Sequence, residues 1–433
     1  MESIRYDRKK GRGVKKPFPE HLEREERIID LAENEKICPH DGTRLVEIGE
    51  EVSEKLKAIS AQYSVLVLIK KKYACPCCEN YLVQAKSILP GTTATPELLS
   101  FIIFSKLFQG LPLYRLEEVF KLNGIGLKRG TMARWLIQVK DELMPIYNLL
   151  QDKVFDSRYM AIDATGVQVL KEAGRKAQTK SSMWVRGSPE LGIVLFDYDP
   201  SGGGKVAKSL MAGFEGALQS DAHSGYGALP TKNLLRLGCM MHSRRRFEEA
   251  YVVGKKQPGL AADGLAMLRW VYDREEEYKK RGLTPQGRKA IRDEELKPSL
   301  ELILKWAKEK LLIVPKSSPV GNALHYFIEQ YDELTAFLKD GRYEIDNGWV
   351  ERAIRKFAIG RKNWLFCDSV DGAQASSILY SLTVTAKLNG KDPYEVMTEI
   401  LTALPAAKTG EDSERLTALL LTEANPLSCQ KKG

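Results

Sequence analysis

No run of about 18 apolar residues occurs in this 433-residue chain, which argues against a membrane-spanning helix. The opening stretch, Met1 to Lys16, is polar and basic and lacks the apolar core of a secretory signal, so the chain is expected to stay inside the cell. Acidic charge is in deficit: 57 Asp and Glu against 66 Lys and Arg leave a net charge of +9. The basic excess is clustered in Arg5–Lys16, Lys171–Lys180, Arg244–Arg246 and Arg352–Lys362, a pattern that suits phosphate backbones better than an even solvated surface. Cysteine is too sparse for a secreted disulfide framework. Of seven, four (Cys38, Cys75, Cys77 and Cys78) lie close together near the N-terminus, as metal ligands would in an intracellular protein. What is present is ordinary for a globular chain, 43% hydrophobic and 28% charged residues, with length for about two to four domains.

Three carboxylates stand out by their local context: Asp163 in YMAIDATGVQV, Asp221 in GALQSDAHSGY and Glu351 in DNGWVERAIRKF. Tyr159 to Ile162 is an apolar, strand-like run ending at Asp163, and alternation resumes through Val167 and Val169. Strand-like runs at Ser182–Arg186 and Gly192–Tyr198, a helix at Lys205–Gly213, a short strand that Asp221 ends, a short helix and a strand at Leu234–Met240 follow. With a final helix bearing Glu351, this is the element order of a ribonuclease H-like core. Three convergent carboxylates suffice to hold two Mg²⁺ ions, and a pair of such ions clamps the attacking and leaving oxygens of a phosphodiester displacement.

The N-terminal cysteines suggest a zinc ribbon. CPHD at Cys38 and CPCC at Cys75 have nearly the form of two zinc knuckles, but Asp41 stands where a second cysteine belongs. Cys38, His40 or Asp41, Cys75 and Cys78 can still make a tetrahedral zinc set; a degenerate ribbon that folds without metal is the competing reading. After a Pro, Gly and Thr-rich linker at Pro90–Pro96, amphipathic segments at Pro96–Gln109 and Leu113–Leu122 lead through NGIG into Lys128–Leu143. This resembles a helix-turn-helix in which Lys128, Arg129 and Arg134 would meet DNA, although such helix pairs also build ordinary cores.

Arg244 to Asp340 interrupts the nuclease pattern with helical periodicity at Arg245–Val253, Ala261–Lys280, Pro285–Ala307 and Ala323–Leu338, an inserted helical subdomain. At its entry Cys239 and His242 have C-x2-H spacing, but the nearby sequence supplies no further zinc ligand, so His242 reads as a structural or DNA-contacting residue. Arg244 and Arg245 would reach a phosphate backbone. At its exit, Asp346 and Asn347 can cap a helix, Glu351 falls in the first turns, and Arg355 lies four residues on, either on a phosphate or in a silent ion pair with Glu351. Arg361, Lys362 and Trp364 are then expected to leave the helix as a basic stretch with an aromatic, suited to stacking or backbone contact with displaced DNA.

The stretches CPHDGTRL, YACPCC, LPLYRLEEVF, AIDATGVQVL, GRKAQTKSSMWV, QSDAHSGY, GCMMHSRRRF, DNGWVERAIR and GRKNWLF, in this order, resemble the large transposase of the insertion sequence 66 family of bacterial mobile elements. The resemblance implies a DDE transposase with Asp163, Asp221 and Glu351 as catalytic triad, a zinc-ribbon region, an interrupted ribonuclease H-like core and a small C-terminal element near Thr383–Asn425. It also implies double-stranded DNA (terminal repeats and target) as partner, two Mg²⁺ per site, self-association on DNA, element-encoded helper proteins and a place in the bacterial cytoplasm on the nucleoid. Three departures stand against it. Ala164 occupies a position where the family usually has Glu, Asp41 replaces a ribbon cysteine, and a further N-terminal region usual in the family is not seen, so a shortened or decayed copy is one expectation.

The expected division is a basic arm (1–30), a zinc-ribbon-like region (31–90), a helical DNA-binding region (91–150), the first part of the core (151–243), the helical insertion (244–340), the last part of the core (341–382) and a C-terminal element (383–433). The expected fold class is therefore α/β multidomain. A structure-specific nuclease on the same core and a catalytically inactive, transposase-derived DNA-binding protein are the alternatives.

Overall fold

The chain divides into two units, residues 1–85 and 86–433. The computed structural model describes residues 44, 63–67, 72–74, 82–84, 94–221 and 233–422. In the first unit, β1 (Lys72–Ala74) and β2 (Leu82–Gln84) pair antiparallel with Tyr73 opposite Val83. The expected zinc ligands Cys38, His40, Asp41, Cys75 and Cys78 lie outside the described residues.

The second unit opens with α1 (Pro96–Ile103), whose start is fixed by Pro96 in the first turn and by Thr95, which accepts the amide of Leu98. Helix α2 (Leu113–Leu122) turns at Gly124, held at φ +74°, and leads to α3 (Arg129–Asp156). Helix α3 runs well past the expected end at Leu143, because Met132, Trp135, Leu136, Val139, Leu143, Ile146, Leu150 and Val154 keep one buried stripe going for its whole length. It is a structural member of the unit and does not end with a separate region at residue 150.

Strands β3 (Tyr159–Lys171), β4 (Lys180–Ser188) and β5 (Ile193–Asp199) form an antiparallel meander. After α4 (Gly204–Leu210), strands β6 (Gly216–Gln219) and β7 (Leu234–Leu237) add in parallel on the other side of β3, giving the order β5-β4-β3-β6-β7. Tyr159 to Ile162 are all buried, as the central strand of a covered sheet requires. The short helix expected after Asp221 falls in residues 222–232, outside the described residues. Strand β7 stops at Leu237 and does not run to Met240: the Gly238 amide bonds to Glu333 O and the Met240 amide to Ile345 O, so the ladder has no further partner.

The insertion accordingly starts earlier than expected, with α5 (Met240–Val253), followed by α6 (Leu260–Lys280), α7 (Pro285–Ile291), α8 (Lys297–Leu311), α9 (Pro319–Glu329) and α10 (Tyr331–Thr335). Its apolar stripes meet in one core that includes Phe247, Leu268, Val271, Leu300, Leu324, Phe327 and Phe337. Through this core runs an ion network. Arg292 is wholly buried and bidentate on Glu275 (2.6 and 2.8 Å), and Arg288 joins Glu275 (2.6 Å) to Glu344 (3.1 Å). The Tyr159 hydroxyl of β3 donates to Gln219 at 2.6 Å and accepts the Glu344 amide at 3.0 Å, which ties the insertion to the sheet.

Helix α11 (Gly348–Trp364) packs over β3, and β8 (Cys367–Ser369) pairs with the far end of β3. Helix α12 (Val370–Leu388) is buried almost throughout from Ala373 to Ala386, so the expected boundary at 382/383 cuts through the middle of a core helix. Its hydroxyls close the open edge of the sheet: Ser381 accepts the Phe196 amide at 2.8 Å and Thr385 the Val194 amide at 3.1 Å. Helices α13 (Pro393–Ala403) and α14 (Gly410–Leu419) complete the helical layer. The described residues of this unit form a mixed α/β architecture with one mixed sheet. No helix among the described residues is long and apolar enough to cross a membrane.

Candidate active site

The β3–β6 register pairs Ala161 with Gln219. Asp163 stands two residues past Ala161 on β3, and Asp221 two residues past Gln219, the last residue of β6, close enough for the Asp221 charge to act on the Asp163 carboxyl. Side chains two apart share a face, so Asp163 emerges on the side of Ala161, and it faces Val185 of β4 across the sheet. Glu351 comes from the first turn of α11, and its amide bonds to the carbonyl of Asn347 at 3.2 Å. The Asn347 side chain donates to Ile162 O at 2.9 Å, docking the helix start beside Asp163.

These placements leave negative charge concentrated. The Asp163 carboxyl is pushed up to about 7, first by burial, then by the charges of Asp221 and Glu351; the Ala164 amide, donating to its Oδ1 at 2.7 Å, opposes this. Among the described residues Glu351 forms no ion pair, with Arg355 or any other cation, so the silent i,i+4 pair is not formed. Three oxygen-donor groups gathered in this way fit a hard divalent ion.

The other expected site residues are distributed unevenly. Arg361 donates to Thr165 at 3.2 Å, two residues past Asp163 on β3, whereas Arg355 and Lys362 are exposed on α11. Arg361, Lys362 and Trp364 still belong to the helix and do not leave it. The Trp364 ring is half-buried against Phe357 with Lys106 over it at 5.1 Å, so it is packed and not offered to a base. Arg244 lies over the Tyr272 ring at 5.6 Å, and Arg245 is exposed. Lys128 and Arg129 form long surface contacts with Glu117, 3.7 and 4.0 Å, and Arg134 is exposed beside them in sequence.

Several contacts around the site could not be read from the sequence. Tyr326 of α9 stands near Asp221 with the Arg246 guanidinium 4.3 Å from its ring, and its hydroxyl is pushed up to about 12, mainly by burial. Asp346 caps α11 by accepting the Gly348 amide at 2.8 Å and is held by the Tyr272 hydroxyl at 2.9 Å, which frees Asn347 for β3. Cys239 and His242, which lacked a third ligand in the sequence, find one in Glu351: the three ligand atoms lie within 4.8 Å of one another. Burial pushes the Cys239 thiol up to about 12.

The model of the family described as Transposase IS66 family matches residues 91–375, and that of the zinc-finger binding domain of transposase IS66 matches residues 35–79, the stretch that holds Cys38, His40, Asp41, Cys75 and Cys78. The uncharacterized protein y4jD of Sinorhizobium fredii (strain NBRC 101917 / NGR234) is 31% identical over 413 residues, 90% of this chain and 79% of its own length. Proteins y4qI and y4hP of the same strain are 29% and 28% identical, over 93% and 90% of this chain and 76% and 74% of their own lengths. No solved structure matches the chain.

Proposed function

Because this chain belongs to the IS66 family of transposases, we propose that it cuts the ends of its own mobile element and joins them to target DNA, with Asp163, Asp221 and Glu351 holding divalent metal ions in a ribonuclease H-like core. The observation that carries this reading is the approach of Asp221 and Glu351 to Asp163, whose carboxyl is pushed up to about 7 by burial and by the charges of those two residues. The sheet order β5-β4-β3-β6-β7, with only the second strand of the meander running against the others, supports the core assignment.

When bound, a pair of Mg²⁺ ions would lower the pKa of an attacking water and neutralise charge on the leaving oxygen. The chain supplies the rest. Asp163 is fixed by the central strand, Asp221 follows the end of β6, and Glu351 is held by a helix start anchored on β3, so the donor set is organised before DNA arrives. Arg361, steadied by Thr165, and the exposed Arg245, Arg355 and Lys362 contribute positive charge for the phosphate backbone. In the first reaction a water oxygen bonds to phosphorus and the element's 3′-oxygen leaves as a hydroxyl. In the second that hydroxyl oxygen bonds to a target phosphorus and releases the target's own 3′-hydroxyl.

Recognition of the terminal repeats falls to the N-terminal unit, with zinc on Cys38, Cys75, Cys78 and His40 or Asp41, and to the start of α3 with Lys128, Arg129 and Arg134. The DNA complex contains more than one copy of the chain, because two element ends must be cut together, and element-encoded helper proteins act with it. A strand-transfer assay with Mg²⁺ and the element's terminal repeats tests the reading. Joined product is expected; cleavage without joining would favour a nuclease, and binding without cleavage a DNA-binding descendant.

A further inference from the structure

Cys239 stands just before the first residue of α5, His242 lies in its first turn, and Glu351 reaches them from α11. Sulfur, imidazole nitrogen and carboxylate oxygen lie within 4.8 Å of one another. The sulfur is fully buried, and the Asn347 amide points at it from 3.2 Å, a donor that would support a thiolate. His242 Nδ1 is shielded from solvent and has no hydrogen-bond partner, and a buried nitrogen left so is costly unless something else satisfies it. Glu351 likewise makes no ion pair or side-chain hydrogen bond among the described residues.

We propose that Cys239, His242 and Glu351 form a second divalent-metal site, selective for a thiophilic ion such as zinc, that shares Glu351 with the Asp163–Asp221 set. Thiolate and imidazole select zinc over magnesium, which asks for oxygen. A small turn of the half-buried His242 ring brings the set toward zinc distances of about 2.0–2.3 Å, with water completing the tetrahedron. An ion bound there displaces the Cys239 proton and occupies Glu351. Zinc would then act as an inhibitor of the magnesium-dependent reaction. That consequence rests on the proposed function; the site itself does not.

Cobalt(II) titrated into the full-length protein is the probe, read by its sulfur-to-cobalt charge-transfer absorption. Cys75→Ser and Cys78→Ser together silence the N-terminal unit, which is separate from this one. In that background one equivalent of cobalt with charge-transfer absorption is expected. Cys239→Ser should lose the absorption, and His242→Ala and Glu351→Gln, at half-buried positions, should each weaken cobalt binding at least ten-fold with unchanged circular dichroism. No charge-transfer absorption in the background, or a His242→Ala protein that titrates like its parent, would overturn the site. A cobalt site in a protein that never joins DNA supports the site and removes only the functional reading. Zinc inhibition of strand transfer that disappears in His242→Ala would support the shared Glu351.

Discussion

The side-chain amide of Asn347 donates to the carbonyl oxygen of Ile162 at 2.9 Å, one residue before Asp163, while the Asn347 carbonyl accepts the amide of Glu351. One buried residue thus fixes the separation between two members of the carboxylate set.

Asn347→Ala is therefore expected to lower strand transfer by about ten- to a hundred-fold, as loss of a group that orients metal ligands does, and to shift the metal requirement upward. The orphaned Ile162 carbonyl should cost about 1–3 kcal/mol in denaturant unfolding, with DNA binding kept. Activity within two-fold of the parent at ordinary Mg²⁺ would show that this bond does not position the site.

Asp163 carries a pH signature. Its folded-state pKa, about 7, lies above its ordinary value of 3.8, so the folded protein binds this proton more tightly than the unfolded chain does. The contribution is fully present below pH 3.8 and is lost as pH rises through 7. In chelator, Asp163→Asn should stabilise the protein at pH 8 by about 2 kcal/mol, half of the full-shift figure because the carboxylate is only half-buried, and should gain nothing near pH 4. Divalent metal should raise the melting temperature of the parent and not of the variant. Equal melting temperatures at pH 8 in chelator would show that neither burial nor the neighbouring charges penalise the Asp163 carboxylate.

Glu275 holds two buried guanidinium groups, Arg288 and Arg292. Glu275→Ala leaves both unpaired and should destabilise the insertion by about 3–5 kcal/mol, measured as a loss of its helical signal at lower denaturant than the sheet. A loss under about 1 kcal/mol would mean that water reaches the cluster.

The apolar runs and turn residues around β3, β4 and β5 made the meander readable, because a covered sheet demands long apolar strands and marks their ends. Element ends were less readable where tertiary bonds decide them. Met240 continues an apolar run, yet its amide is taken by Ile345, and a helix begins there. Helix α11 ends at Leu365 with φ +65° and no glycine to announce it, so Trp364 looked free. Nothing in the sequence singles out Arg292, since its partners Glu275 and Tyr343 are distant along the chain. At the site, the three carboxylates could be singled out by context, whereas Asn347, Tyr326 and the meeting of Cys239 and His242 with Glu351 depend on the fold alone.

Arg355 separates charge steering from chemistry. It is exposed and free of Glu351, so Arg355→Ala should weaken DNA binding, lower the salt dependence by about one phosphate contact and retain cleavage at low salt. Complete loss of cleavage with DNA binding unchanged would place Arg355 in the chemistry.

Glu351→Gln, assayed for strand transfer with Mg²⁺ and the element's terminal repeats beside Asp163→Asn, bears on the whole account. The substitution keeps shape and removes one anionic donor from the set that Asp163 and Asp221 begin. Loss of joined product as complete as in Asp163→Asn, with DNA still bound, is the expected result; full strand transfer by Glu351→Gln would contradict the assignment of the site.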